Sequence, residues 1–138
     1  MITYSHSTHA DLCSETLYRA MIDIARWPQW DLTLSETAHD GSLEVGSFFT
    51  IKPKGRPRLE LEIVEASAPA AFVTLARLPL GRIRMRHDFT PQASGGSTVG
   101  LRIEVVGPLA WLWDRLVARK LAAGAAEQAR AFIAFASG

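Results

Sequence analysis

The sequence predicts an α+β domain: a curved, mainly antiparallel seven-stranded sheet wrapped around one long C-terminal helix, with one or two short helices after the first strand. Three observations carry that prediction. Arg26, Trp27, Pro28, Gln29, Trp30 and Asp31 form a tryptophan-rich break that must stop the helical pattern running up to Ile24. Beyond it come short alternating stretches, each bounded by Gly or Pro. The chain then turns helical from Gly107 to about Ala136.

Each element follows from its residues. From Ile2 to Ala10 the larger Ile2, Tyr4, His6 and Thr8 share one parity and the smaller Thr3, Ser5 and Ser7 the other, which reads as a strand. Ser14 is placed as an N-cap with Glu15 in the first turn, and Leu17, Tyr18, Met21 and Ile22 recur at helical spacing. Six further strands are expected at Thr33 to His39, Phe48 to Lys52, Leu59 to Ala66, Phe72 to Leu78, Arg82 to Thr90 and Thr98 to Val106. Their short connections favour hairpins over crossover helices, hence a meander. Pro108 can occupy a first helical position without losing a hydrogen bond, and a helix from there to Ala136 spans roughly 40 Å. Its apolar stripe runs through Trp113, Val117, Leu121, Gly124, Phe132 and Phe135, and the economical arrangement lays it across the concave face of the sheet.

A length of 138 residues fits one domain, 1–138, and folding at that size hides roughly 68% of the unfolded surface, enough for a core. Fifteen basic against fourteen acidic side chains leave no excess field for a polyphosphate, so nucleic acid is not an expected partner. Cys13 stands alone, which excludes an internal disulfide and fits a reducing compartment. Met1 to Asp11 lack the basic and apolar regions of a secretion signal, and no apolar run approaches the roughly 18 residues of a membrane span. The expectation is a cytoplasmic protein without integral membrane association.

The layout, with Trp27, Pro28, Trp30 and Asp31 followed by Leu43, Val45, Gly46, Ser47 and Phe49, resembles the START-like polyketide cyclase/dehydrase superfamily, the SRPBCC-type helix-grip proteins. The resemblance spans essentially the whole chain as one START-like domain. It implies a cavity between sheet and C-terminal helix, and a membership that includes lipid carriers, allergen-like ligand binders, aromatase/cyclases and accessory proteins acting through contacts.

On the strand Arg82 to Thr90, parity places Ile83, Met85, His87 and Phe89 together and Arg82, Arg84, Arg86 and Asp88 on the opposite face. An imidazole on the cavity face can anchor a carbonyl or phenol, or act as a general acid/base in an aldol-type ring closure. A core histidine bonded to a neighbouring carbonyl is the plainer account of the same residue. The candidate ligand wall takes Tyr4, Ile63, His87 and Phe89 from the strands, and Trp113, Val117, Leu121 and Gln128 from the helix. His6 shares the parity of Tyr4 and offers a second imidazole. Trp27 and Trp30 are read mainly as fasteners of the small helix, and Trp111, off the face of Trp113, as a rim residue that marks a homodimer surface. The arginines Arg77, Arg82, Arg84, Arg86 and Arg102 read as a solvated sheet face.

No Ser/His/Asp elbow, Gly-rich phosphate loop or His-x-x-x-His helix is present, so no cofactor, metal or catalytic set is assigned. The leading reading is non-covalent binding of an apolar or aromatic small molecule, lipid- or polyketide-like, in the cavity. The alternatives are an aromatase/cyclase-type enzyme using His87, and an interaction module with a vestigial cavity.

Overall fold

The computed structural model describes residues 1–138. Seven strands make one antiparallel sheet: β1 (Ile2–Ala10), β2 (Leu34–Ala38), β3 (Phe48–Pro53), β4 (Leu59–Ser67), β5 (Ala71–Leu78), β6 (Gly81–Pro91) and β7 (Ser97–Val106). β2 to β7 form the expected meander, while β1 pairs with β7, giving the order β1-β7-β6-β5-β4-β3-β2. Register shifts between Leu34 and Glu36 and between Ile63 and Glu65 mark bulges that bend the sheet.

The register builds the concave face. His6, Leu101, His87 and Phe72 stand opposite one another across β1, β7, β6 and β5, and side chains directly opposite share a face. The next row is Tyr4, Ile103, Met85, Thr74 and Ile63. His87 thus falls with the apolar set, as its parity predicts.

The helix α1 (Ser14–Met21) buries Leu17, Tyr18 and Met21, with the Tyr18 ring edge-on to Phe89 at 6.4 Å between centroids. Ser14 is not its cap. Cys13 occupies that position, and the Ser14 hydroxyl instead donates to the Phe89 carbonyl at 3.2 Å and lies 3.1 Å from the Ser97 hydroxyl, fastening α1 to the sheet. α1 also stops well before Pro28, which lies inside a separate 3-10 segment, Ile24–Gln29. The Trp27 indole N–H donates to the Met21 carbonyl at 2.8 Å, satisfying one of the acceptors that a helix end leaves free.

The closing helix departs most from expectation. It begins at Ala110 rather than Pro108 and is interrupted twice: α2 (Ala110–Trp113) passes through a π turn, Asp114–Ala118, into α3 (Arg119–Ala123), and Gly124 separates α3 from α4 (Ala125–Ser137). A π turn adds a residue to the helical circuit and rotates everything after it. The buried line therefore runs through Asp114, Ala118, Ala125 and Phe132, while Gly124, expected on the stripe, is exposed.

The start of this helix is held by two glycines. Gly107 has φ +110°, and a Cβ there would lie 2.7 Å from the Leu80 carbonyl oxygen, so only glycine fits the turn. Gly81 leaves space for Trp113, whose indole N–H donates to the Pro79 carbonyl at 2.8 Å. A Cβ on Gly81 would sit 2.5 Å from Trp113 Cδ1. Gly81→Ala is therefore expected to displace the indole and lower stability by about 1–3 kcal/mol. Denaturant unfolding checks this, and Gly81→Ala in a Trp113→Leu background should cost clearly less.

Candidate functional site

Two adjoining cavities lie between the β1/β7/β6 side of the sheet and the closing helix. The larger, about 30 Å³, is walled by His6, His87, Val99 and Leu101 from the sheet, Met21 and Trp30 from the segment after β1, and Ala125, Gln128, Ala129 and Phe132 from α4. The smaller, about 20 Å³, is walled by Tyr4, His6, Leu101, Ile103, Ala122 and Ala125. The larger holds about two waters, since one needs roughly 10–15 Å³ measured this way.

Two residues that wall the larger cavity each carry a polar atom without a protein partner: the indole Nε1 of Trp30 and Nδ1 of His87, both shielded from solvent. An unpaired buried donor or acceptor is costly and uncommon in a folded protein. Burial also lowers the His87 pKa from the usual 6.5 to about 4, so the ring is neutral at physiological pH. Trp30 is 6% exposed and held edge-on between Trp27 and Phe132, at centroid distances of 6.1 Å and 5.0 Å.

Gln128 is oriented from behind. Its Nε2 donates to Asp31 Oδ2 at 2.7 Å, while Asp31 Oδ1 accepts from the Thr33 backbone N–H at 3.1 Å and its hydroxyl at 2.6 Å. A carboxylate only accepts, so the Gln128 amide must turn its nitrogen toward Asp31 and leave its oxygen uncommitted.

Tyr4, placed on the ligand wall from its sequence parity, already has a partner. Its hydroxyl donates to Asp114 Oδ1 at 2.6 Å, and the Arg119 guanidinium donates to Asp114 Oδ2 at 3.0 Å. The π turn carries Asp114, only 3% exposed, against β1, so this network fastens helix to sheet. Tyr4→Phe leaves a buried carboxylate short of a donor and is expected to cost about 1–3 kcal/mol, read as a lowered melting temperature.

The whole length fits a known pattern. Residues 1–133 match the model of the family described as polyketide cyclase / dehydrase and lipid transport. The chain belongs to that family. No curated protein matches it by sequence. Among solved structures, it is similar to the di-domain ARO/CYC StfQ from the steffimycin biosynthetic pathway, with a TM-score of 0.80 and 16% identity, covering 99% of this chain. This chain spans 50% of StfQ. It is also similar to a Mesorhizobium loti protein, at TM-score 0.76 and 16% identity over 96% of this chain and 94% of that one. Norcoclaurine synthase from Thalictrum flavum, whose structure holds a transition-state analogue, gives TM-score 0.73 and 12% identity over 98% and 93%. At these identities the likeness establishes the helix-grip fold.

Within this polyketide cyclase/dehydrase member the nominated residues are spread over several places. His87 and Gln128 wall the larger cavity and Tyr4 the smaller. Ile63 and Phe89 are core residues, 0% and 1% exposed, with Phe89 stacked on the cavity residue Phe132 at 6.1 Å. Val117 and Leu121 are half-buried against that core, and Trp113 lies over Gly81, outside both cavities.

Sequence reasoning did not single out Asp31 or Asp114 as interior carboxylates. Asp114 had a signal, as the sole acid between Gly107 and Ala126. Asp31 meets Gln128 across 97 residues, which only tertiary structure supplies. Outside the site, Arg77 pairs with Glu62 at 2.9 Å, Arg86 with Glu65 at 3.1 Å and Arg102 with Glu104 at 3.6 Å, as a solvated sheet face requires. No cluster of three or more His, Cys, Asp or Glu side chains is arranged to hold a metal, and no helix is long and apolar enough to cross a membrane.

Proposed function

We propose that this protein binds an apolar or aromatic small molecule, lipid- or polyketide-like, between the sheet and α3/α4, with Trp30, His87 and Gln128 supplying polar contacts. The observation that carries the reading is the pair of unpartnered buried atoms, Trp30 Nε1 and His87 Nδ1, on two residues that wall one cavity. Tyr4, Ile63, Phe89, Trp113, Val117 and Leu121 belong to the same proposal as supports of the wall.

Occupancy requires opening, because a cavity that holds benzene is about 150 Å³. The breaks at the π turn and at Gly124 flank α3, which gives the helix places to yield. Burying about 300 Å² of apolar ligand at about 25 cal/mol/Å² gives about 7 kcal/mol, less an association cost of at least about 4, so polar contacts decide useful affinity.

Native mass spectrometry of gently purified protein, followed by extraction and identification of bound molecules, tests the reading. A stoichiometric apolar passenger is the expected result. Protein that is empty and binds none of a panel of aromatic and lipid probes would sink it.

A catalytic reading is supported by the same imidazole: neutral near pH 7, His87 can accept a proton as a general base in an aromatase/cyclase-type step. Full turnover by a His87→Leu protein would exclude it. A cytoplasmic location, with no nucleic-acid partner, is part of the proposal, supported by the lone exposed Cys13 and the paired arginines. Self-association through Trp111, 57% exposed, is proposed as well and is read by sedimentation.

A further inference from the structure

We infer that the cavity selects an uncharged ligand bearing a hydroxyl or carbonyl group, and turns away carboxylates and phosphate-bearing lipids. This rests on the binding reading above and names the chemical class for that site.

The wall contains no lysine or arginine. Its polar groups are an indole N–H on Trp30, the shielded Nδ1 of His87, the Gln128 amide and the His6 ring, whose Nε2 is already 2.9 Å from the Thr8 hydroxyl. Asp31 stands behind Gln128 and fixes the amide with its oxygen as the uncommitted end. An incoming anion therefore finds no cation on the wall: the donors left to it, the Trp30 indole N–H, the second Gln128 N–H and the His87 ring in its Nδ1–H tautomer, are all neutral, and the Asp31 carboxylate stands close behind. Arg119, which could neutralise an anion nearby, is committed to Asp114.

A buried carboxylate without a cation loses its hydration and gains too little in return. An uncharged oxygen has no such penalty. A carbonyl accepts from the Trp30 N–H. A hydroxyl can accept there and also serve His87 Nδ1 in either tautomer, donating to a bare nitrogen or accepting from an N–H. Neutral imidazole, the form that burial favours at His87, suits a neutral guest.

Phenol, toluene and benzoate separate the possibilities, because they present one ring with a hydroxyl, a methyl or a carboxylate. They are titrated at pH 8, where imidazoles of ordinary pKa are uncharged, into isotope-labelled protein. The readout is the four tryptophan indole N–H signals in two-dimensional NMR, with Trp30 assigned from Trp30→Phe. Phenol is expected to shift the Trp30 signal and to bind at least as tightly as the more apolar toluene, with benzoate at least about tenfold weaker than phenol. His87→Leu should weaken phenol by about tenfold and leave toluene unchanged.

Benzoate binding as tightly as phenol would overturn the inference while leaving the binding function in place. Phenol and toluene responding identically to His87→Leu would also overturn it. If none of the three perturbs the cavity residues, the inference is overturned, while the proposed function still rests on the search for a bound passenger.

Discussion

Acidification is expected to destabilise this protein through one imidazole. His87 has a folded-state pKa of about 4 because burial penalises its charged form, against about 6.5 for an unfolded chain. Above pH 6.5 both states hold the ring neutral and the full stability is present. As pH falls from 6.5 toward 4 the unfolded state takes up a proton that the folded state refuses, so stability declines with falling pH. A separation of about 2.5 pKa units corresponds to about 3 kcal/mol lost across that window, a large share of a typical domain's total.

His87→Leu keeps an apolar side chain in the same row and removes the titration. Its stability curve is expected to be flatter than the wild type's between pH 6.5 and 4. His6 on β1 and Asp31 behind Gln128 are the other ionisable side chains closest to the site, and both proteins carry them. Exposed His9, whose pKa is raised by its bonds to Asp11 and Gln92, is remote from the substitution and contributes equally to both; that contribution has the opposite sign, present below pH 6.5 and lost as pH rises through the raised value. Denaturant midpoints at intervals of half a pH unit make the measurement. Parallel curves for the two proteins would show that His87 is not held neutral by burial.

The residue whose titration matters was legible because a strand has period two: once Ile83 and Phe89 were taken as interior, His87 had to face the same way. What parity could not supply was the neighbour. That His87 stands beside Leu101 follows from the β6/β7 hairpin, but that Leu101 stands beside His6 follows from β1 pairing with β7, a contact between the first and last strands of the chain that no local pattern encodes. The closing helix shows the same boundary between local and tertiary information. Its apolar spacing announced a helix, but the π turn that brings Asp114 to Tyr4 answers to a partner 110 residues away. Ser14 illustrates competition: a hydroxyl suited to capping finds better-placed partners on β6 and β7.

Trp27 and Trp30 give the last and largest separation of roles. Both were read from sequence as fasteners, and both are buried, at 7% and 6% exposure. Trp27 fully fits that description. Its N–H satisfies the Met21 carbonyl, and its ring meets Trp30 and, edge-on at 5.3 Å, Phe49 on β3. Trp27→Ala removes the hydrogen bond, the ring contacts and the volume that join the 3-10 segment to the sheet. The expected cost is about 3–5 kcal/mol, in the range of large-to-small core changes at aromatic positions. Thermal unfolding should show it as a fall of roughly 10–20 °C for a domain of this size.

Trp30→Phe is a different experiment on the neighbouring ring. It keeps an aromatic face toward Trp27 and Phe132 and deletes an N–H that has no protein partner, so the penalty of burying that donor disappears together with part of the packing. The net change in stability is expected to be small, about 1–2 kcal/mol, while affinity for an oxygen-bearing ligand falls. A domain tuned only for stability has no reason to place an indole at Trp30 where a phenyl ring would pack without an orphaned donor. If Trp30→Phe unfolds as early as Trp27→Ala, the indole nitrogen is part of the fastening and the cavity loses its principal donor. If it unfolds near the wild type, the N–H serves the cavity and not the fold.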